Sequence, residues 1–143
     1  MRILKKVRLR LRSLFRRSSV ESELEAELHF HLAHLFAEQR DWSAAVAEYR
    51  LALILAPGAT EAYDGLAEAW LAQNDWGRAL AEYRVAVTLN PSNAAAHQQL
   101  ALGFERNGNL QSAASEIALA YRLEPGDPGM RADFDRLQAK VKR

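Results

Sequence analysis

The chain has 143 residues, enough for one compact domain with a substantial core. Apolar residues make up 49% and charged residues 26%, which excludes disorder over the whole chain. It contains no cysteine, which excludes disulfides, thiolate catalysis and cysteine-based metal sites. The formal net charge of +1 conceals an asymmetry: residues 1–20 hold eight Lys and Arg and no acid, whereas residues 21–143 hold eleven basic residues and eighteen acids.

The first 17 residues predict a cationic amphipathic helix, because the apolar side chains occupy about 120° of a helical wheel. The apolar set is Ile3, Leu4, Val7, Leu11, Leu14 and Phe15. The basic set is Arg2, Lys5, Lys6, Arg8, Arg10, Arg12, Arg16 and Arg17. Such a helix binds an anionic membrane surface or docks on a protein. Both interpretations stay open, alongside a solvated tail; nucleic acid binding is disfavoured because the rest of the chain is acidic.

A second helix is expected to begin at Ser18. Ser18 and Glu21 have the spacing of a capping box, and the acids of residues 21–27 suit the positive end of a helix dipole. This helix is expected to run to about Glu38. The predicted segments are therefore a basic helix at 1–18, a helical array at 19–127 and a capping segment at 128–143.

The array has a period of 34 residues, marked by Pro57, Pro91 and Pro125. Other columns agree in character across the three periods, as in Leu32, Leu66 and Leu100, in Phe36, Trp70 and Phe104, in Ala45, Ala79 and Ala113, and in Ala52, Ala86 and Ala120. Each period predicts a helix, a turn, a second helix and a stop before proline. A single hairpin cannot bury both of its faces, so neighbouring hairpins are expected to stack.

This period and column chemistry resemble the tetratricopeptide repeat (TPR) family over about residues 26–127. The resemblance implies an all-α, right-handed solenoid with repeats at 26–59, 60–93 and 94–127. Phe134, Leu137 and Val141 form one apolar stripe, so residues 129–142 are expected to be a terminal capping helix.

The resemblance also implies a groove that binds a partner's peptide or helix. Carried over by position, the groove residues are Glu27, Phe30, His34, Glu61, Asp64, Glu68, Leu71, Ala95, Gln98, Leu102 and Glu105. Five are acids and none is basic, which predicts a basic ligand, although a merely solvated acidic face is the alternative. The cationic clamp that some family members use on a terminal carboxylate is absent. Its positions hold Phe30, His34, Gly65, Ala95 and Gln99.

A second, shorter resemblance involves Leu14–Arg17 and the following residues 21–32. They are similar to the cytoplasmic prefix that precedes the first membrane span in some bacterial ABC-type export permeases. That resemblance implies a bacterial, cytoplasmic chain working peripherally at the inner membrane face. Here no apolar run approaches the ~20 residues of a span.

No catalytic, cofactor or metal site is predicted. His29, His31 and His34 lie close in sequence, but they lack a fourth ligand, and His29 is expected to pack in the core. We therefore expect a non-catalytic scaffold or adaptor with an acidic groove, held at a membrane by its N-terminal helix. The alternative is a self-associating module in which that helix packs on its own or a neighbouring repeat array.

Overall fold

The computed structural model describes residues 2–142, apart from the side chains of residues 2–4 and 8. Its helices are α1 (Arg2–Glu38), α2 (Trp42–Leu55), α3 (Thr60–Ala72), α4 (Trp76–Leu89), α5 (Ala94–Arg106), α6 (Leu110–Leu123) and α7 (Pro128–Val141). Short turns join them. The all-α hairpin pattern and the terminal capping helix predicted from the sequence are confirmed.

The chain divides into two compact units, Met1–Ala59 and Thr60–Arg143. Unit 1 contains α1 packed on α2. Unit 2 contains α3 to α7, in which each helix packs on the next along the chain.

The 34-residue period sets how the second helix of each hairpin begins. Asp41, Asp75 and Asn109 occupy equivalent positions and cap α2, α4 and α6. In each case the side-chain oxygen accepts a hydrogen bond from a backbone N–H three residues later, at 3.1 Å. Such caps satisfy donors that a helix start leaves unpaired.

The residue before each of these caps adopts a left-handed backbone, with φ of 61° at Arg40, 61° at Asn74 and 77° at Gly108. The backbone N–H of the capping residue then donates to a carbonyl five residues earlier, at 2.9 Å in all three turns. This closing turn ends the first helix and directs the chain into the second.

The core of unit 2 is built of small residues around a few large ones. Its buried members are Ala94, Ala101, Ala113, Ile117, Ala120, Met130 and Leu137. Phe104 and Phe134 pack against them, and Phe134 stacks on Tyr121 with ring centroids 5.2 Å apart. The aromatic and Leu side chains of α7 thus complete the core.

The prediction that a new helix begins at Ser18 is wrong, because α1 is one uninterrupted helix from Arg2 to Glu38. Ser18 does not cap: its Oγ donates to the carbonyl of Phe15 at 3.0 Å, within the helix. Glu21 instead pairs with Arg17 Nε at 3.0 Å, which supports the helix across the expected boundary. No Gly or Pro interrupts residues 2–38.

Candidate functional site

In unit 1, the predicted groove residues of α1 form an aromatic patch. Phe30 is half-buried, and its ring lies 4.8 Å from His34 and 6.0 Å from the buried Tyr49. Glu27 is exposed, and its Oε1 lies 3.7 Å from Nε2 of His31. This patch therefore offers ring edges and an exposed carboxylate on one helix.

His29 lies beside this patch but faces α2. Its Nδ1 is 2.5 Å from Glu48 Oε2, and the side chain is half-buried. The sequence predicts that His29 packs in the core. Instead it is only half-buried and is paired with Glu48 between two helices. Among the residues that the structure describes, no group of three His, Cys, Asp or Glu could hold a metal ion.

In unit 2, the acidic groove residues gather on α3. Glu61 and Glu68 are exposed, and Asp64 is half-buried between them. Asp64 Oδ2 accepts from Asn93 Nδ2 at 2.7 Å, whereas its Oδ1 is buried and accepts no hydrogen bond from the described residues.

The charges on α3 act on one another. Burial raises the pKa of Asp64 and the charge of Glu61 raises it further, against the lowering effect of the Asn93 hydrogen bond. Burial also raises the pKa of Tyr83, and Glu68 and Asp64 add to that rise. This face of α3 therefore carries a negative potential that an added cation would relieve.

On α5 two of the predicted groove residues, Gln98 and Glu105, are bonded to side chains of α7. Gln98 Nε2 donates to Asp133 at 2.8 Å, and Glu105 accepts from both Arg136 and Lys140, the latter at 2.7 Å. Burial of Glu105 opposes its ionisation, but the two cationic donors outweigh it and lower the pKa of Glu105. Its negative charge is therefore compensated within the unit.

The acidic surface is narrower than the sequence predicts, because the charge of Glu105 is compensated by Arg136 and Lys140; Glu61, Asp64 and Glu68 remain as the acidic set of α3. Leu71 and Leu102 are half-buried, and Ala95 is exposed. Carboxylates in this setting accept hydrogen bonds from Lys or Arg, so the face can bind a cationic ligand. Sequence reasoning missed Arg136 and Lys140, although their four-residue spacing on the predicted capping helix was a usable signal.

The basic residues of α1 are exposed wherever their side chains are described. The predicted positions Arg2, Ile3, Leu4 and Arg8 lie outside the described side chains. The remaining predicted residues of the segment are exposed: Lys5, Lys6, Val7, Arg10, Leu11, Arg12, Leu14, Phe15, Arg16 and Arg17.

The repeat architecture agrees with a family comparison. A tetratricopeptide repeat model matches residues 9–60, 30–94 and 65–128, which together cover more than half of the chain. The chain therefore belongs to the tetratricopeptide repeat family. No match was found among curated proteins.

Solved structures of the same fold are similar at low sequence identity. The Arabidopsis OM64 TPR domain has 20% identity and a TM-score of 0.76, over 82% of this chain and 98% of that one. The first TPR of Spaghetti (RPAP3), bound to the HSP90 peptide SRMEEVD, has 16% sequence identity and a TM-score of 0.78, over 85% of this chain and 96% of that one. The Yersinia enterocolitica type III secretion chaperone SycD, in complex with a peptide of the translocator YopD, has 16% sequence identity and a TM-score of 0.72. The match covers 80% of this chain and 93% of that one.

Proposed function

We propose that this chain is a non-catalytic adaptor that binds a basic peptide or helix of a partner protein on the acidic face of α3. The observation that carries the proposal is the cluster of Glu61, Asp64 and Glu68 along α3, in which the charge of Glu61 adds to the burial that raises the pKa of Asp64. A ligand that brings Lys or Arg to this face would oppose that rise and gain charge-assisted hydrogen bonds.

Two structural neighbours support peptide binding as the kind of activity, since both were solved with a peptide bound. The ligand of this chain is expected to differ in charge from the peptide bound by one of these neighbours. The peptide SRMEEVD carries three acids and one Arg. An acidic α3 face repels such a peptide, so we expect discrimination by sign of charge.

The test is a titration of the full chain with a short synthetic peptide of Lys and Leu, and with the same peptide carrying Glu in place of Lys. We expect the Lys peptide to bind, more weakly at high salt, and the Glu peptide and SRMEEVD not to bind. The Glu61→Gln, Glu68→Gln double variant should lose about tenfold in affinity, or roughly 1.4 kcal/mol.

The matched control is Asp135→Asn, which removes an exposed acid from α7 and should leave the affinity unchanged. Equal affinity for the Lys and Glu peptides would contradict the proposal. So would full affinity in the double variant, because binding would then not depend on the acidic face.

Attachment to a membrane through residues 1–18 stays a prediction. No helix among the described residues is long and apolar enough to cross a membrane. The exposed basic segment of α1 is compatible with binding at a surface, but the composition of the whole helix favours a different occupant, which is considered next.

A further inference from the structure

The N-terminal half of α1 extends beyond the helix that it packs on. Ser22 Oγ donates to the carbonyl of Leu55, the last residue of α2, at 3.3 Å. Every described side chain from residue 5 to residue 20 is exposed. At 1.5 Å per residue, this exposed stretch is about 24 Å of helix.

An exposed apolar stripe runs along α1 with a spacing of seven residues. Val7, Leu14, Leu28 and Leu35 are all exposed, and Glu21 occupies the one remaining position of the series. A helix packed into a globular core shows a period of 3.6 residues, whereas a strict seven-residue repeat keeps one seam facing a second helix.

The two halves of the helix carry opposite charge. Residues 5–17 are basic, and residues 21–27 contain an acid at every second position. An antiparallel copy of α1 centred between residues 17 and 18 would bring Arg10 opposite Glu25, beside the stripe. The same alignment brings Val7 opposite Leu28 and Leu11 opposite Leu24, all of which are exposed. A parallel copy would oppose like charges along the whole length.

We propose that two copies of this chain associate through antiparallel pairing of their α1 helices. Val7 and Leu11 of one copy meet Leu28 and Leu24 of the other, and the basic half of each helix faces the acidic half of the other. This pairing does not depend on the proposed peptide site, because that site lies on α3.

A membrane surface fits the helix less well than a second copy does. An anionic leaflet attracts residues 5–17 but repels the acids at residues 21–27 of the same uninterrupted helix. It also leaves Leu28 uncovered, since that residue follows the acidic stretch. A second copy satisfies both halves at once.

The first experiment is sedimentation equilibrium of the full chain and of charge-swapped variants. Variant one carries Arg10→Glu, and variant two carries Glu25→Arg. We expect the native chain to dimerise, and each variant alone to dimerise at least tenfold more weakly. An equimolar mixture, or both substitutions in one chain, should restore dimerisation.

The matched control is Arg131→Glu, which reverses an exposed charge on α7 and should not change the mass. Circular dichroism would verify that each variant keeps its helices. A native chain that stays monomeric, or variants whose mixture does not recover, would overturn the proposal. Monomers that co-sediment with anionic vesicles would identify the membrane as the occupant.

The direction of pairing can be tested separately, because the chain contains no cysteine to interfere. Under mild oxidation, Ser18→Cys should crosslink to itself, since it lies beside the two-fold axis. Val7→Cys should not crosslink to itself but should crosslink to Leu28→Cys on another copy. Self-crosslinking of Val7→Cys would show parallel helices and overturn the proposed arrangement.

Discussion

The first helices of the first and third hairpins occupy the same repeat positions, yet they meet different surroundings. Leu28 and Leu35 of α1 are 57% and 52% exposed. Two periods later, Ala96 and Gly103 of α5 are buried. A Cβ added to Gly103 would overlap the side chain of Leu80 on α4, which would have to shift to make room.

This contrast teaches what a repeat position requires. Within unit 2, small residues let neighbouring helices approach, and the buried area comes from that close packing. On α1, the same columns carry large apolar side chains that the described chain leaves exposed. Bulk at these positions is a feature of a surface that can accept another helix, and it would be incompatible with the packing of α5.

A buried pair at equivalent positions gives the largest predicted difference between the units. His97 is 7% exposed, and its ring lies 2.6 Å from Glu116 Oε2 and 3.0 Å from the carbonyl oxygen of Pro91. His97→Ala should cost about 3 kcal/mol of unfolding free energy, because it leaves the Glu116 carboxylate without this partner and opens a cavity.

His29 makes the equivalent contact with Glu48 in unit 1, but the pair is more open to solvent. His29→Ala should therefore cost only about 1 kcal/mol. Urea denaturation of the full chain measures the loss of unfolding free energy in both variants. His31 is exposed, so His31→Ala is a control that should change the stability very little. Equal losses for His97 and His29 would show that burial does not decide the strength of these pairs.

The sequence was sufficient for the repeat boundaries, because their signals are local and recur three times. The prolines and the turn residues before Asp41, Asp75 and Asn109 act within a few residues of chain. The His–Glu pairs could also have been found, since both have a separation of 19 residues at equivalent repeat positions.

Other features depend on contacts that a local pattern does not contain. The capping signal at Ser18 was outweighed by strong helix formers on both sides and by the Arg17–Glu21 pair. The charge of Glu105 was misjudged because its cations belong to α7, far along the sequence. The groove itself stays a prediction from resemblance, and the pairing of Glu105 within it could be seen only in the tertiary structure.

The pairing of Glu105 gives a pH-dependent prediction for unit 2. The pKa of Glu105 is lowered in the folded state, so its pairing stabilises the fold above the unfolded pKa of about 4.3 and is lost as pH falls through the folded value. Replacing both cations, as Arg136→Gln and Lys140→Gln, should cost about 1 kcal/mol at neutral pH, because both are half open to solvent.

Urea denaturation at neutral and acidic pH measures this effect. The native chain and the double variant should converge in stability as Glu105 becomes protonated. The exposed pair Arg131→Gln and Lys142→Gln is a control for the loss of two positive charges. A difference that persists undiminished at about pH 2 would show that Arg136 and Lys140 act through packing instead.

The smallest predicted effect concerns the turn that follows the first helix of each hairpin. Unit 1 places Arg40 in a left-handed conformation, where unit 2 has Gly108 at the equivalent position. A side chain in that conformation costs about 1–2 kcal/mol, but glycine adds flexibility to the unfolded chain. Arg40→Gly should therefore stabilise the protein by only about 0.5 kcal/mol, and Gly108→Ala should destabilise it by about 1 kcal/mol.

Thermal and urea denaturation measure the effect of each substitution on stability. The two effects can be compared because Arg40 and Gly108 occupy equivalent repeat positions. A Cβ on Gly108 would meet nothing within 4 Å, so any loss there comes from the backbone rather than from a clash. If Arg40→Gly instead lowers stability, the Arg40 side chain must make contacts that outweigh the strain of its backbone. The two turns would then share a backbone geometry, but side-chain contacts would stabilise only the turn at Arg40.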